Sequence, residues 1–390
     1  MTPEYGLELR KFVAPEFIYG IGAISLVGRY AKNLGAKKAM MVTDPGVIQA
    51  GWLEKALDSL KDAGVPTVVF NAVTPNPKDH EVAAGVQLYG ESGCDIIIAV
   101  GGGSPMDCAK GIGIAYVNGK DVLEFEGVDE VPKPGPPLIC VPTTAGSSAD
   151  VSQFAIISDT SRKVKIAIIS KTVVPDLSLI DPETTTTMSS ELTAATGIDA
   201  LVHAIEAYVS NASSPITDLN ALAAVSLVMQ NLIPAIENPR EMKYRNNMMR
   251  GSLLAGLAFS NASLGLVHAM AHSLGGQLDL PHGICNALLL DSVVEFNYPA
   301  ATDRYEQIGL AMGLKPNRAG SARSNEELLQ CIVRLREDAD IKTTIGALGV
   351  TQKDISGLSK KAFNDPCLAT NPRNASVEEI EKLYEKALSI

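Results

Sequence analysis

Cysteine is sparse in this chain and never closely paired. Cys94, Cys108, Cys140, Cys285, Cys331 and Cys367 include no Cys-x-x-Cys spacing. Neither a zinc ribbon nor a disulfide framework is thereby indicated, and most of the six are expected to be small buried hydrophobes. Positive charge is also short. With 33 Lys and Arg against 44 Asp and Glu the net charge is -11 and the isoelectric point lies near 5.1. A nucleic-acid or anionic-membrane partner would call for a basic patch, so neither is expected. No uninterrupted apolar run reaches the roughly 18 residues of a membrane span. The opening MTPEYGLELRKFVAPEF lacks the basic start and apolar core of a signal peptide, so a cytoplasmic protein is expected. There is no internal repeat and no low-complexity tract; TTTT at 184–187 is too short to count. What remains is ordinary globular material, 46% apolar and 20% charged over 390 residues. That length suffices for two domains acting on a small molecule.

The first 185 or so residues alternate short β-branched runs with amphipathic stretches, a βαβ rhythm that implies a largely parallel sheet. KKAMMVTDPG, VPTVVFNAV, DIIIAVGGG and PLICVPTTAG read as strands ending in turn formers, and FAIISD, KVKIAIIS and LSLIDP as a hairpin plus one more strand. From Ser189 and Ser190 onward, apolar residues recur at three- and four-residue spacing with almost no alternation. The sequence therefore predicts an α/β N-terminal Rossmann-like domain over 1–185 and an all-helical domain over 186–390. The link IDPETTTTMSS is too brief for a flexible tether, which implies tight packing with a cleft between the halves.

Histidine is rarer still, and four of the five fall between positions 203 and 282. His203 follows Asp199 by four residues in TGIDALVHAIEAY, and His268 and His272 are again four apart in GLVHAMAHSLGG. On a helix such pairs share one face with Cβ atoms about 5–6 Å apart, close enough to grip one ion. His282 follows in LDLPHGICN, read as a loop between Pro281 and Gly283. Imidazoles with one carboxylate suit Fe(II) or Zn(II) better than Mg or Ca. A lone histidine is more often a core or surface residue; the clustering is what points to a shared metal, with five candidates for a four-ligand site.

After the strand DIIIAV comes Gly101-Gly102-Gly103-Ser104-Pro105-Met106-Asp107 and then a helical stretch. Glycines there allow close backbone approach, and the helix N-terminus favours a phosphate or pyrophosphate. The spacing is not GxGxxG, and such turns also arise for steric reasons. A second loop, Pro142-Thr143-Thr144-Ala145-Gly146-Ser147-Ser148, offers hydroxyls suited to ribose or phosphate. At a third strand end, Asp44 in VTDPGV is placed to bind an adenosine ribose and repel a 2′-phosphate, favouring NAD over NADP. The plain alternative for Asp44 is an Asp-Pro-Gly turn.

Together these segments resemble the iron-containing (group III) alcohol dehydrogenases along essentially the whole chain. The resemblance is carried by GGGSPMDCAKG, PTTAG, Lys165 in KVKIAIIS, IDP at 180–182, TGIDALVHAIEAY, GLVHAMAHSLGG, PHGICNALLL and NDPCLATNPR. It implies a dehydroquinate synthase-like architecture and metal ligation by Asp199, His203, His268 and His282. His272 would lie beside the metal as the proton-relay residue, since imidazole exchanges protons near neutral pH. Cofactor contacts are implied at Asp44, Gly102, Gly103, Ser104, Asp107, Thr143, Thr144, Ser147 and Lys165, with Phe154 beside the nicotinamide. One departure stands out. Where members often read PTTAGTGSE this chain has PTTAGSSAD, so Ser148 replaces a glycine where close backbone approach matters.

The implied reaction is reversible oxidation of a short-chain primary alcohol to an aldehyde, with hydride passing to NAD and a divalent ion, Fe(II) or Zn(II), acting as Lewis acid on the alcohol oxygen. Phe154 and Phe259 suggest an apolar substrate pocket, although phenylalanine is more often core. The resemblance further implies a homodimer or higher homo-oligomer. Glycerol dehydrogenases and dehydroquinate synthases, which use zinc, are the nearest alternatives; a metal-dependent hydrolase and a purely structural metal site are the others.

Overall fold

The computed structural model describes residues 9–315 and 322–388; the first eight residues of the opening segment discussed above lie outside that range. Nine strands occur among the described residues: β1 Glu16–Tyr19, β2 Ala39–Val42, β3 Thr67–Phe70, β4 Ile96–Gly101, β5 Gly127–Val128, β6 Leu138–Pro142, β7 Phe154–Asp159, β8 Val164–Ile169 and β9 Leu177–Ile180. Six of them form one parallel sheet in the order β1-β9-β6-β4-β2-β3. AMMV, IIIAVG, LICVP and LSLI are buried at every position, the unbroken apolar reading expected of strands covered on both faces. Alternate residues of β4 enter separate cores, Ile97 and Ala99 on one face and Ile96, Ile98 and Val100 on the other. The remaining strands form a small sheet, β5-β8-β7, in which β7 and β8 are the antiparallel hairpin read from FAIISD and KVKIAIIS. Sequence reading missed β1, because EFIY is an edge strand with only its second half partly buried, and the two-residue β5.

The strand order places the cofactor-type loops. Leaving β2, the chain passes to β3 on one side, whereas β4 and then β6 lie on the other. The loops after β2 and β4 therefore diverge at a topological switch point, where open α/β sheets take their ligands. Asp44 follows β2, Gly102 follows β4 and Thr143 follows β6.

Two compact units are present. Among the described residues, 14–188 with 240–249 make the sheet unit, and 9–13 with 189–239, 250–315 and 322–388 make the other. Two segments thus lie across a division at residue 185. The 240–249 stretch joins the sheet unit, where the Tyr19 hydroxyl donates to the Asn246 carbonyl at 2.9 Å. Val13 joins the second unit through paired bonds with Asn261, 2.6 and 3.0 Å. Among the described residues that unit is helical. Its first helix, Ser190–Val209, is capped by the Ser189 hydroxyl accepting from Leu192 N–H at 3.1 Å, and nearly every residue from Thr193 on is buried. Helix Pro215–Glu237 is long and apolar enough to cross a membrane by length and composition alone, and it packs against Ser190–Val209.

All six cysteines are free and only Cys331 is partly exposed. Burial pushes the thiols of Cys108, Cys140 and Cys367 up, which removes the reactive thiolate. Iodoacetamide at pH 8 is expected to modify Cys331 at most in the native protein and all six after unfolding; rapid labelling of Cys367 in the native state would contradict the structure.

Candidate metal and dinucleotide sites

Asp199 and His203 stand one turn apart on Ser190–Val209, and His268 lies on helix Leu266–Leu278. His282 was expected in a loop. It is instead the first residue of helix His282–Asn297, with Pro281 at its N-cap, so its backbone is fixed by a helix rather than by a turn. One donor atom from each of Asp199, His203, His268 and His282 lies within 4.8 Å of all the others. Asp199 Oδ1 is 3.9 Å from His203 Nε2, 3.9 Å from His268 Nε2 and 3.7 Å from His282 Nε2. Four N/O donors about 2.0–2.3 Å from one ion in a tetrahedron would have edges of about 3.3–3.8 Å. The edges of 3.7–3.9 Å from Asp199 lie at or just above the upper end of that range, and the donor chemistry is that of a divalent transition-metal site. The imidazoles of His203 and His268 stack with centroids 4.7 Å apart, and Phe259 covers His203 at 4.3 Å.

A second layer of residues that sequence reasoning missed holds these donors. Glu206, seven residues beyond Asp199 on the same helix, places Oε2 2.6 Å from His268 Nδ1, and its Oε1 accepts from Val267 N–H at 2.7 Å. Burial pushes the Glu206 carboxyl up to about 7, against backbone N–H groups of Val267 and Gly265 that favour its charge. Burial likewise depresses His268, followed by the neighbouring His203, keeping that ring neutral as a metal ligand must be. Asn286, one turn after His282, donates from Nδ2 to Asp199 Oδ1 at 2.7 Å; the same atom lies 3.2 Å from His268 Nε2 and 3.3 Å from His282 Nε2. Only the i,i+7 and i,i+4 spacings of Glu206 and Asn286 from site residues could have singled them out.

His272 lies outside the four-donor group. Its ring stacks on His282 at 5.4 Å, and its Nδ1 is 2.9 Å from Asp365 Oδ2. The tail around it clamps helix Leu266–Leu278 at a second point. Asn371 Oδ1 accepts from Leu266 N–H at 3.1 Å and from Asn297 Nδ2 at 2.9 Å, which gives the asparagine of NPR a helix-capping role.

In the sheet unit the glycine loop starts helix Gly103–Asn118, with Gly102 as N-cap and no side-chain cap. A Cβ on Gly102 would meet Thr144 Cγ2 at 3.1 Å, and one on Gly103 would meet Ser147 Cβ and Oγ at 3.0 Å. The two loops face each other across hydrogen-only glycines, with Thr143 N–H donating to the Gly101 carbonyl at 2.9 Å. A helix N-terminus without a side-chain cap, no Cβ and two nearby hydroxyls suit a pyrophosphate. Ser104 Oγ accepts from Asn76 N–H at 3.1 Å, and Lys165 Nζ donates to Asn76 Oδ1 at 2.7 Å. Asn76, which sequence reasoning passed over, therefore joins two expected cofactor residues. Asp107 sits on the same helix. Phe154, buried at the start of β7, accepts through its carbonyl from Lys110 Nζ at 2.6 Å; burial pulls the Lys110 ammonium down. Asp44 does what a turn residue would do, accepting from Val47 N–H at 3.0 Å as the N-cap of Pro45–Gln49. Ser148, the departure from the family loop, adopts φ 51°, a left-handed conformation that glycine takes at less cost.

The sheet unit offers a glycine loop suited to a dinucleotide, and the helical unit offers one aspartate and three histidines suited to a metal, the features of a metal-assisted dinucleotide oxidoreductase. Comparison with known families specifies which. Residues 14–182 match the model "Iron-containing alcohol dehydrogenase" and residues 193–388 match "Fe-containing alcohol dehydrogenase family, C-terminal", and the chain belongs to that family. It is 41% identical over 371 residues to a 1,3-propanediol dehydrogenase of Citrobacter freundii, covering 95% of this chain and 96% of that one. Identity to an NAD-dependent methanol dehydrogenase of Bacillus methanolicus is 36% over 377 residues, covering 97% and 99%. The crystal structure of a 1,3-propanediol oxidoreductase superposes with a TM-score of 0.93 at 39% identity, over 97% of this chain and 100% of that one. The activity is NAD-linked interconversion of an alcohol and an aldehyde.

Proposed function

We propose that this dehydrogenase oxidises short primary alcohols and terminal diols, using a divalent cation, Fe(II) or Zn(II), held by Asp199, His203, His268 and His282. The observation that carries this reading is the closeness of those four donors with Phe259 stacked against one of them. When bound, the cation supplies Lewis acidity toward the alcohol oxygen and NAD supplies the hydride acceptor. The chain's own residues position and protect. Gly102, Gly103, Ser104, Asp107, Thr143, Thr144, Ser147 and Lys165 hold the dinucleotide, and Phe154 packs beside its nicotinamide. Phe259 keeps water from the donor cage and favours an unbranched apolar substrate. His272 takes up the hydroxyl proton through its unsubstituted ring nitrogen. The names of the propanediol and methanol enzymes support a small alcohol. We take the working assembly to be a homodimer or larger.

NADH formation from straight-chain alcohols and diols tests the reading, using chelator-stripped enzyme reconstituted anaerobically with Fe(II), Zn(II) or neither. Activity on ethanol, butanol or 1,3-propanediol that returns only with metal is the expected result; a metal-independent signal, or none with any alcohol, refutes it.

Asp44 supplies a separate test. Ser in its place keeps a capping oxygen for Val47 N–H but removes the charge. Asp44→Ser is expected to leave the thermal midpoint nearly unchanged and to raise the NADP-to-NAD ratio of kcat/KM about tenfold, or about 1.4 kcal/mol. An unchanged ratio would leave Asp44 as a helix cap and nothing more.

A further inference from the structure

His268 and His272 stand one turn apart on the same helix, and a buried carboxylate from another element meets Nδ1 of each, Glu206 for the first and Asp365 for the second. In both carboxylates the other oxygen is committed to a backbone N–H, that of Glu206 to Val267 and that of Asp365 to Cys367, but the Asp365 contact falls on the histidine outside the four-donor group. Asp365 Oδ1 accepts from Cys367 N–H at 2.8 Å as the cap of the short 3-10 turn Pro366–Thr370. Oδ2 then faces His272 Nδ1 at 2.9 Å, and both side chains are nearly inaccessible to solvent. Burial alone would raise this carboxyl, but His272 and the N–H of Cys367 outweigh it and hold it below the usual range. An ionised carboxylate can only accept, so the shared proton sits on the imidazole.

We propose that Asp365 is a positioning residue that fixes His272 as the Nδ1–H tautomer, leaving Nε2 as the nitrogen able to receive a proton during alcohol oxidation. The inference deepens the relay reading of His272 and rests on it for its kinetic part only. Orientation by a buried carboxylate is how imidazole bases are held to one tautomer on unrelated folds. The tail anchors the same helix at both ends of the 3-10 turn, through Asp365 at its start and Asn371 just past its end, which keeps the ring from rotating away. A rival use of the pair is ligation, since His272, Asp365 and Cys367 also offer donor atoms within 4.8 Å of one another. The 2.9 Å contact argues for a hydrogen bond, because two ligands of one ion stand about 3.3 Å apart or more.

Asp365→Asn is the decisive variant. The Cys367 N–H needs an oxygen acceptor, so it claims the amide oxygen and turns the amide NH2 toward His272. Nδ1 must then accept, and the ring proton moves to Nε2. Nitrogen NMR of Zn(II)-loaded, 15N-histidine-labelled enzyme reads the tautomer directly, with His272 assigned by its loss in His272→Gln. The expected result is Nδ1–H in the wild type and Nε2–H in Asp365→Asn. A fall in kcat of about 10²–10³-fold should accompany it, with metal stoichiometry and the KM for NAD unchanged, and Asp365→Glu should recover part of the loss. A wild type protonated at Nε2 overturns the proposal even if no Asp365 variant folds. So does a slow Asp365→Asn enzyme that retains the wild-type tautomer, or a second equivalent of Zn(II) bound by the wild type and lost with Asp365→Asn. If His272→Gln keeps full kcat while Asp365→Asn inverts the tautomer, the relay reading fails and the tautomer assignment stands.

Discussion

Asp199→Asn is expected to weaken divalent-metal binding at least about a hundredfold while leaving the metal-free protein as stable as before. Asp199 is the one carboxylate among the four donors, and its Oδ1 lies 3.7–3.9 Å from a ring nitrogen of each of the three imidazoles. It also accepts from Asn286 Nδ2 at 2.7 Å. An asparagine there is nearly isosteric and must turn its carbonyl oxygen to Asn286, so the geometry of the donor set survives and only the charge is lost. Removing groups that merely orient metal ligands costs about 10–100-fold in affinity; removing a ligand's charge should cost no less. At equal free metal a hundredfold weaker site loses about 2.7 kcal/mol of metal-linked stabilisation. The readout is the metal-induced rise in thermal midpoint, together with chelator competition using Zn(II) as the probe. A variant whose midpoint rises with Zn(II) as much as the wild type's would remove Asp199 from the ligand set. A variant already destabilised without metal would show that the carboxylate is held for folding.

Three of the four donors were legible from two pairs at one turn's spacing, one of which also holds the non-donor His272, whereas His282 belongs to no pair. Asp199 and His203 share a helix face at one turn's spacing, as do His268 and His272, and in a chain with so few histidines the coincidence is informative. The parallel sheet was legible for a similar reason, its central strands being apolar without interruption. What the sequence conceals is the layer behind the donors. Glu206 meets a residue 62 positions away and Asp365 one 93 positions away, and a glutamate or aspartate read alone looks like any other. The tail NDPCLATNPR could be matched to a family, but its physical role appears only once Asp365 and Asn371 are seen at two points of one helix. His282 was misplaced into a loop because Pro281 and Gly283 both suggest a turn. Proline is equally at home at a helix start, and the glycine beside it answers to a neighbouring helix rather than to its own backbone conformation.

That glycine leads to the last and most disruptive expected outcome. A Cβ on Gly283 would stand 2.2 Å from the carbonyl oxygen of Ala195 and 2.7 Å from its carbon, both of them backbone atoms of the helix that carries Asp199 and His203. No side-chain rotation relieves such a clash, so Gly283→Ala must push helix His282–Asn297 away from Ser190–Val209. Overpacking of this kind costs about 1–3 kcal/mol or more, and the shift falls directly on His282, the adjacent residue, and on Asn286 one turn further. The donor edge of 3.7 Å between His282 Nε2 and Asp199 Oδ1 would open, and one methyl group placed outside the cage should lower both the thermal midpoint and Zn(II) affinity. Gly357→Ala is the matched control. It lies in helix Gln352–Phe363 with nothing within 4 Å of an added Cβ, so the same change should stabilise by about 0.5–1 kcal/mol. Gly283→Ala enzyme that melts and binds Zn(II) like the wild type would mean that the two helices are not held at this separation. If instead stability falls while Zn(II) affinity is retained, His282 is not coupled to the helix contact through its neighbour, and its place in the cage must be set from within its own helix.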